Sequence, residues 1–232
     1  MPGIALIVAG VVVAGALSAV AVMVRSMFIA TRGKKIGVYA APRKALVVLD
    51  IQEGYSPTAR RRPVTIAPAN RLITTVNRLI DQAVASGTEV VYIRQVFSSN
   101  LFVRLHGGRR QGTVIVDRRL KLVSDNDFAK NRTDAFSSRQ FEQFLIDKQV
   151  NELFLVGVDA AYCVYYTALG ARNRGYTVTV VQDAVLSRNR MEKVLARFKR
   201  KGIAVFPSSE LDFSSAVKNP AGRDDVSEVK HP

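Results

Sequence analysis

The sequence has few of the residues that build disulfides and metal sites. Its 232 residues include one cysteine, Cys163, and two histidines, His106 and His231. A single cysteine excludes an intramolecular disulfide and a cysteine-based zinc site, which needs a cluster of thiolates. Two histidines far apart in the chain also exclude a histidine-rich metal centre. We therefore predict a protein without a bound metal ion and without another cofactor.

Acidic residues are also scarce. The chain has 34 lysines and arginines against 19 aspartates and glutamates, which gives a formal net charge of +15. Such a balance favours a polyanionic neighbour, either a membrane surface or a nucleic acid. At 48% apolar and 23% charged residues the chain is globular rather than disordered. Its length suits one α/β domain with an appendage and excludes two large domains.

Near the amino end, residues 4–24 (IALIVAGVVVAGALSAVAVMV) carry no charge. A helix of about 20 apolar residues spans the ~30 Å hydrocarbon core of a bilayer. We therefore predict a transmembrane helix within residues 1–25. A cleaved secretory signal peptide is the alternative, but no basic residue precedes residue 4 and the apolar run is long for a signal peptide.

The basic residues lie on the carboxyl side of this apolar segment. They are Arg25, Arg32, Lys34 and Lys35. Positive charges next to a membrane span hold their side in the cytoplasm. We expect a single-pass membrane protein that contacts the bilayer through residues 4–24 and this basic flank, with the domain that follows in the cytoplasm.

Beyond a basic linker at residues 26–43, apolar runs alternate with amphipathic stretches. The run KALVVLD is nearly continuous in apolar residues, which is typical of a strand buried on both faces of a parallel sheet. The patterns predict strands at 44–50, 88–97, 114–123 (the weakest), 152–158, 176–183 and 203–206, and helices at 65–86, 137–148, 162–174 and 189–201.

Strands that alternate with helices indicate βαβ units. The fold class is therefore α/β: a doubly wound, mainly parallel six-stranded sheet with helices on both faces, in a Rossmann-like three-layer arrangement. We place this domain at residues 44–207. The remaining residues, 208–232, are polar, and we expect them to form a frayed tail.

Three residues with chemical potential fall near the carboxyl ends of predicted strands, where open parallel sheets bind ligands. Asp50 ends the first strand, and a carboxylate after an apolar run is costly unless it is paired. Cys163 lies at the start of a helix, whose N-terminus favours the thiolate. Lys130 lies in a loop after the third strand and can balance the charge of both. Singly, each residue has an ordinary structural explanation, but their joint placement favours a catalytic site.

Three sequence blocks resemble one known family. They are VVLDIQEGY (47–55), AKNRTDAF (129–136) and LFLVGVDAAYCVYYTALGARNRGYTVTVVQDAV (153–185). Over residues 44–206 the chain resembles the isochorismatase-like cysteine hydrolases, which include nicotinamidases and related amidases. The resemblance implies an isochorismatase-like fold and an Asp-Lys-Cys triad, which falls on Asp50, Lys130 and Cys163.

The same resemblance implies a cis peptide bond between Val158 and Asp159, and an oxyanion hole formed by the backbone N–H groups of Asp159 and Cys163. Asp50 would then take the thiol proton, and the Cys163 sulfur would attack the substrate to give a covalent intermediate that water resolves. Amide hydrolysis that releases ammonia is the simplest expectation. True isochorismatases act without a nucleophilic cysteine, so Cys163 favours the amidase branch.

The sequence also departs from the family pattern. Nicotinamidases usually carry a metal-binding Asp-x-His cluster after the first strand, whereas residues 51–70 contain no histidine. We therefore predict no zinc or iron, and nicotinamide becomes a less expected substrate. We interpret His106 as a surface-loop histidine. Asp159 stands where many relatives have a small apolar residue, and its effect on the oxyanion hole or on the pocket lip stays open.

Aromatic residues beside the motifs are candidates for the substrate pocket. Tyr55, Phe136 and Tyr162 suit a pocket for a planar substrate. Other aromatic residues, at helical spacing, are interpreted as core or interface: Phe141, Phe144, Tyr165 and Tyr166. Besides a small-molecule substrate, we expect a second copy of the chain as a partner, in a homo-oligomer.

Basic clusters allow a function without catalysis. They comprise residues 60–62 together with Arg104, Arg109, Arg110, Arg118, Arg119 and Lys121. No aromatic residues that stack on bases are interleaved with them, so we predict that nucleic acid is not a partner. Anionic lipid is the simpler partner, and a solvated face is the other alternative. The alternative function is a membrane-tethered, non-catalytic binding or scaffold protein on the same fold, which the reactivity of Cys163 would distinguish.

Overall fold

The computed structural model describes residues 27–53, 66–96 and 115–215, together with scattered residues between 10 and 25. Most of the predicted transmembrane segment, 4–24, lies outside these described residues. Within the part that is described, no helix has both the length and the hydropathy that a membrane crossing needs.

Six parallel strands form the centre of the domain. They are β1 (Arg43–Leu49), β2 (Glu89–Gln95), β3 (Asp127–Lys130), β4 (Val150–Val158), β5 (Thr177–Leu186) and β6 (Ala204–Phe206). Their order across the sheet is β3-β2-β1-β4-β5-β6, and each neighbouring pair is parallel. The predicted six-stranded parallel α/β sheet is confirmed.

Helices cover both faces of this sheet. They are α1 (Ile66–Ala85), α2 (Arg139–Asp147), α3 (Cys163–Asn173) and α4 (Met191–Arg200). Leu46 and Val48 of β1 pack with α1 on one face. Ala45, Val47 and Leu49 pack with α2, α3 and α4 on the other. Because both faces of β1 are buried, its sequence is apolar at every position from 45 to 49.

The centre of the sheet is also its topological switch point. The chain passes from β1 to β2 in one direction and from β4 to β5 in the other, with α1 and α3 on opposite faces. Such a reversal opens a crevice between the carboxyl ends of the two central strands, here β1 and β4. Asp50 and the turn that precedes Cys163 lie at that crevice.

The third strand lies later in the chain than we predicted. We expected it at 114–123, but residue 114 lies outside the described residues, and Val116 forms only an isolated bridge with Gln52. Leu120 is instead buried in the core beneath α1, so the apolar residues here are buried without forming a strand. The observed β3 is a short edge strand with two exposed residues, so it carries little hydrophobic pattern. Lys130 is its last residue and does not lie in a loop.

The carboxyl end of the domain also extends beyond the predicted boundary at 207. The buried Lys44 ammonium donates hydrogen bonds to the carbonyl oxygens of Asp212, Phe213 and Ser215, at 3.3, 3.0 and 2.6 Å. The Phe213 ring packs edge-on against Phe154, with centroids 4.9 Å apart. Residues 208–215 therefore belong to the folded domain, because one buried aromatic ring and one buried cation fasten an otherwise polar segment.

Gly157 allows β4 to lie close to β1. Its φ is +116°, and a Cβ atom here would overlap the backbone carbonyl oxygen of Leu49. Gly157→Ala is therefore expected to lower the free energy of unfolding by roughly 4 kcal/mol or to prevent folding. Gly87→Ala is the matched control: φ is +70° there and nothing lies within 4 Å of the added atom. The control should cost only about 1 kcal/mol in urea unfolding, and equal losses in the two variants would contradict this account.

Candidate active site

Asp50 is held rigidly where β1 ends. It adopts the left-handed backbone conformation, with φ of +53°. Its N–H group donates a 2.9 Å hydrogen bond to the carbonyl oxygen of Ile93 in β2. The side chain is completely buried. This backbone conformation places the Asp50 side chain at the edge of the sheet where the strands end, shielded from solvent.

Lys130 binds this carboxylate from the end of β3. Its Nζ atom lies 2.9 Å from Oδ2 of Asp50, and both side chains are 0% exposed. The ammonium also donates to the Gln95 side chain at 2.6 Å and to the carbonyl oxygen of Arg132 at 3.1 Å. These acceptors surround the ammonium, which fixes its position in the site.

Cys163 completes the cluster as the first residue of α3. Its sulfur lies 3.3 Å from the Nζ atom of Lys130, and the residue keeps 5% of its surface exposed. The structure thus brings together the three side chains that we predicted to form the triad. These three side chains lie at or just beyond the carboxyl ends of β1, β3 and β4.

The electrostatics of the cluster favour a neutral thiol. Burial raises the pKa of Cys163 and the negative charge of Asp50 raises it further, while Lys130 lowers it without cancelling these effects. Burial by itself lowers the pKa of Lys130, but the charges of Asp50 and Cys163 outweigh this, so that pKa is raised. The helix N-terminus therefore does not leave the thiolate that we expected. The resting site needs a base to deprotonate the sulfur.

These two pKa shifts predict a loss of stability at alkaline pH. A raised pKa means that the folded state holds its proton more tightly than the unfolded chain does. The stabilisation is complete below the ordinary pKa values, about 8.5 for cysteine and about 10.4 for lysine, and is lost as pH rises through the raised values. The free energy of unfolding should fall as pH rises above about 8.5, and the fall should begin at higher pH in Cys163→Ala. A curve unchanged by that substitution would contradict the shift for Cys163.

The turn between β4 and α3 contains the cis peptide bond between Val158 and Asp159. Ala160 donates its N–H to Leu186, Ala161 donates to the Asp159 carboxylate, and Tyr162 and Val164 donate to the Asp159 carbonyl oxygen. The N–H groups of Asp159 and Cys163 take no part in the hydrogen bonds of this turn. These two groups are those that the sequence predicted as oxyanion donors.

Comparison with known proteins places this arrangement in a family. The isochorismatase domain profile matches residues 44–212. The chain belongs to the isochorismatase family. The crystal structure of nicotinamidase PncA from Bacillus subtilis superimposes with a TM-score of 0.58 and 26% identity, covering 71% of this chain and 99% of that one.

Two further comparisons are narrower in what they show. N-carbamoylsarcosine amidase from Thermoplasma acidophilum has a TM-score of 0.61 at 24% identity, over 73% of this chain and 99% of that one, which shows the shared fold. The uncharacterized isochorismatase family protein PncA of Bacillus subtilis (strain 168) is 40% identical over 60 residues. This match covers 26% of the chain and spans 33% of that relative's length.

The Asp159 side chain fastens the turn of this family member. One carboxylate oxygen accepts hydrogen bonds from the Ala161 N–H at 2.8 Å and from the Ser187 hydroxyl at 2.5 Å. The other oxygen lies 3.5 Å from the backbone nitrogen of Arg188. Asp159 therefore links the turn after β4 to the end of β5, which supports a positioning role for its carboxylate.

The three pocket candidates have different outcomes. Tyr162 immediately precedes Cys163 and is 42% exposed. Tyr55 lies outside the described residues. Phe136 is only 3% exposed, and its ring packs against Phe141 and Tyr176 with centroids 5.1 and 5.6 Å away. The structure places Phe136 in the core, so its assignment to the pocket is corrected.

Gln95 is a site residue that the sequence analysis missed. It ends β2, is buried, and accepts the shortest hydrogen bond of the Lys130 ammonium, at 2.6 Å. Its own N–H group donates to the side chain of Gln52 at 2.8 Å. The available signal was the one that identified Asp50: a polar residue that ends an apolar strand. Gln95 orients the lysine between the acid and the thiol.

No metal-binding cluster is seen in the described part of the chain. Among residues 27–53, 66–96 and 115–215, no group of three His, Cys, Asp or Glu side chains is placed to hold a metal ion. His106 lies outside these ranges, as do the basic residues at 60–62, 104, 109 and 110. The described members of the predicted basic clusters are paired: Arg118 with Glu53, Arg119 with Asp117 and Lys121 with Asp81.

Proposed function

We propose that this isochorismatase family member is a cysteine-dependent hydrolase that cleaves the C–N bond of a small amide. The observation that carries the proposal is the buried cluster in which one ammonium lies 2.9 Å from the Asp50 carboxylate and 3.3 Å from the Cys163 sulfur. A nucleophile next to a base, with a third group that orients the base, is the general requirement for covalent catalysis.

In the first half of the reaction Asp50 takes the thiol proton as the sulfur attacks the amide carbon. The C=O bond becomes a single bond to an oxyanion, which the N–H groups of Asp159 and Cys163 are placed to bind. When the carbonyl re-forms, the C–N bond breaks and the nitrogen leaves with the proton held by Asp50. The products are ammonia and a thioester on Cys163.

In the second half of the reaction, water enters the site after ammonia has left. Asp50 accepts a proton from water as the water oxygen attacks the thioester carbon, and the same N–H groups bind the second oxyanion. The C–S bond then breaks, the sulfur takes the proton back, and a carboxylic acid leaves. Each oxyanion-hole donor is expected to contribute about 3 kcal/mol to transition-state stabilisation.

The raised pKa of the thiol gives Lys130 a definite role in this scheme. Burial and the Asp50 charge keep the sulfur protonated at rest. Deprotonation transfers negative charge from the carboxylate to the sulfur, and the lysine contacts both atoms throughout. The ammonium therefore stabilises the charge before and after the transfer without moving, which lowers the barrier to forming the thiolate.

We also propose that residues 4–24 and the basic flank attach this enzyme to a membrane with its domain in the cytoplasm, and that it acts as a homo-oligomer. The uncharged segment and the positive residues that follow it support the attachment. Extraction of cell membranes with alkaline carbonate tests it: an anchored chain stays in the pellet, and release into the supernatant would contradict anchoring.

Ammonia release from a panel of small primary amides tests the catalytic proposal. A turned-over substrate should also give a transient mass increase on Cys163 equal to its acyl group, detected by rapid acid quench and peptide mass spectrometry. If no amide of the panel releases ammonia and the thiol remains unmodified by electrophiles, the non-catalytic scaffold is favoured instead.

A further inference from the structure

Residues 27–36, which we name the strap, are fastened to the domain by polar contacts at Thr31. The N–H and hydroxyl groups of Thr31 donate to Oδ2 of Asp134, at 2.7 and 2.8 Å. The carbonyl oxygen of Thr31 accepts hydrogen bonds from Asn173 at 2.8 Å and from Arg174 at 3.2 Å. The sequence predicted a plain linker here, whereas the structure shows a docked segment.

The residues that receive the strap are buried parts of the fold. Asp134 and Arg174 are almost inaccessible to solvent. The Arg174 guanidinium also pairs with Glu142 of α2 at 2.6 Å, and its backbone carbonyl accepts the Ile36 N–H at 2.8 Å. Since the residues that bind the strap come from two different parts of the domain, the turn after β3 and the end of α3, the path of the strap over its surface is fixed.

The amino end of the strap lies beside the segment that follows Lys130 and the residue that precedes Cys163. The carbonyl oxygen of Met27 accepts hydrogen bonds from the N–H and hydroxyl groups of Thr133, three residues beyond Lys130. The Phe28 ring packs edge-on against Tyr162, the residue before Cys163, with centroids 5.9 Å apart. Met27 and Phe28 together therefore link the segment after Lys130 to the residue before Cys163.

Both rings of this pair keep much of their surface accessible. Phe28 is 40% exposed and Tyr162 is 42% exposed, whereas the core aromatic residue Tyr165, two positions beyond Cys163, is 3% exposed. An accessible pair of aromatic rings next to a reactive group offers an apolar surface on which a planar group can stack.

We propose that Phe28 and Tyr162 form an aromatic wall beside Cys163, and that Phe28 is a specificity-determining residue that favours substrates with a planar apolar group. This inference rests on the proposed role of Cys163 as the nucleophile. It assigns a substrate class, aromatic amides, and it gives the strap a role in selecting them.

Alkylation of Cys163 tests the wall without requiring a known substrate. Iodoacetamide and 2-iodo-N-phenylacetamide both form a C–S bond with loss of iodide and of the thiol proton, and only the second carries a ring. The ratio of their rate constants, phenyl reagent over small reagent, should fall about fivefold in Phe28→Ala, because one aromatic contact contributes roughly 1 kcal/mol. The rate with iodoacetamide should not fall.

Phe206→Ala is the matched control, because Phe206 is an equally exposed ring, at 45%, on β6 at the far edge of the sheet. This control and Phe28→Tyr, which keeps the ring, should both retain the wild-type ratio. If the ratio of rate constants is unchanged in Phe28→Ala, or falls equally in Phe206→Ala, the proposed aromatic wall is wrong. Neither result contradicts the proposed hydrolase function. If neither reagent labels the wild-type thiol, the nucleophile itself is wrong, and the inference fails with it.

Discussion

Cys163→Ser is expected to lower kcat for ammonia release by at least about a thousandfold, with little change in the fold. Loss of the nucleophile of a catalytic triad has effects of this size or larger. The hydroxyl is a far weaker acid than the thiol, so Asp50 cannot deprotonate it readily when the substrate arrives. Serine is close to cysteine in volume and can still accept a hydrogen bond from Lys130, which should keep the cluster in place.

Activity assays and thermal unfolding on the same preparation check this expectation. Cys163→Ala should be equally inactive, and it should lack the acyl adduct seen in the wild type. Retention of more than a tenth of the wild-type turnover by either variant would show that another group attacks the substrate. A variant that loses activity only because it unfolds would be recognised by its circular dichroism spectrum.

Lys130→Met is expected to abolish activity and also to lower the free energy of unfolding by about 3–5 kcal/mol. The substitution leaves the Asp50 carboxylate completely buried without the cation that pairs with it, and an uncompensated buried charge is strongly destabilising. Methionine has a similar length and is apolar, so the loss of packing is small. Activity should fall as well, because no cation remains to stabilise the charge on the sulfur.

Arg94→Met provides the matched control on the neighbouring strand. Arg94 pairs with Asp127 at 2.7 Å, but these side chains are exposed by 25% and 36%. A solvated pair of this kind contributes at most about 1 kcal/mol, and its loss should not affect turnover. The double variant Asp50→Asn/Lys130→Met should recover much of the stability and none of the activity. A single Lys130→Met variant as stable as Arg94→Met would contradict the charge pairing.

The central sheet was predictable because its strands are buried on both faces. From Ala45 to Leu49 every residue is apolar, and this continuous run distinguishes a parallel central strand from a half-exposed one. The edge strand β3 was not predictable in the same way. Only Lys130 of its four residues is fully buried, so the hydrophobic pattern that predicts strands is missing there.

Part of the site was predictable for a related reason. Asp50 stands out because it follows directly after an apolar strand, and Cys163 because it begins the helix that follows another, at an edge where parallel sheets bind ligands. Gln95 occupies an equivalent position at the end of β2. An uncharged amide there is a weaker indication of a functional site than a carboxylate, because burying it costs less free energy. The protonation state of the Cys163 thiol could not be predicted from the sequence. Burial and the Asp50 charge raise the pKa of this thiol and outweigh the effect of the helix N-terminus.

The strap was not predictable from the sequence. Its contacts are polar, and Thr31 bonds to Asp134, a residue 103 positions away. Hydrogen bonds between such distant residues leave no periodic pattern along the chain. The predicted linker that contains the strap, residues 26–43, has two glycines, a proline and several positive charges, so it resembles an ordinary linker although Thr31 is held by buried partners.

The docking of the strap also matters to anyone who trims the protein for recombinant production. Cutting just before β1 follows the family boundary at residue 44 and removes the hydrophobic amino end. It would also remove the residues that cover Asp134 and Arg174 and delete the Phe28 ring that packs against Tyr162. A truncation that starts at Met27 removes the same apolar stretch and keeps the strap with its Phe28 ring. Assays of substrate preference should therefore use that longer version.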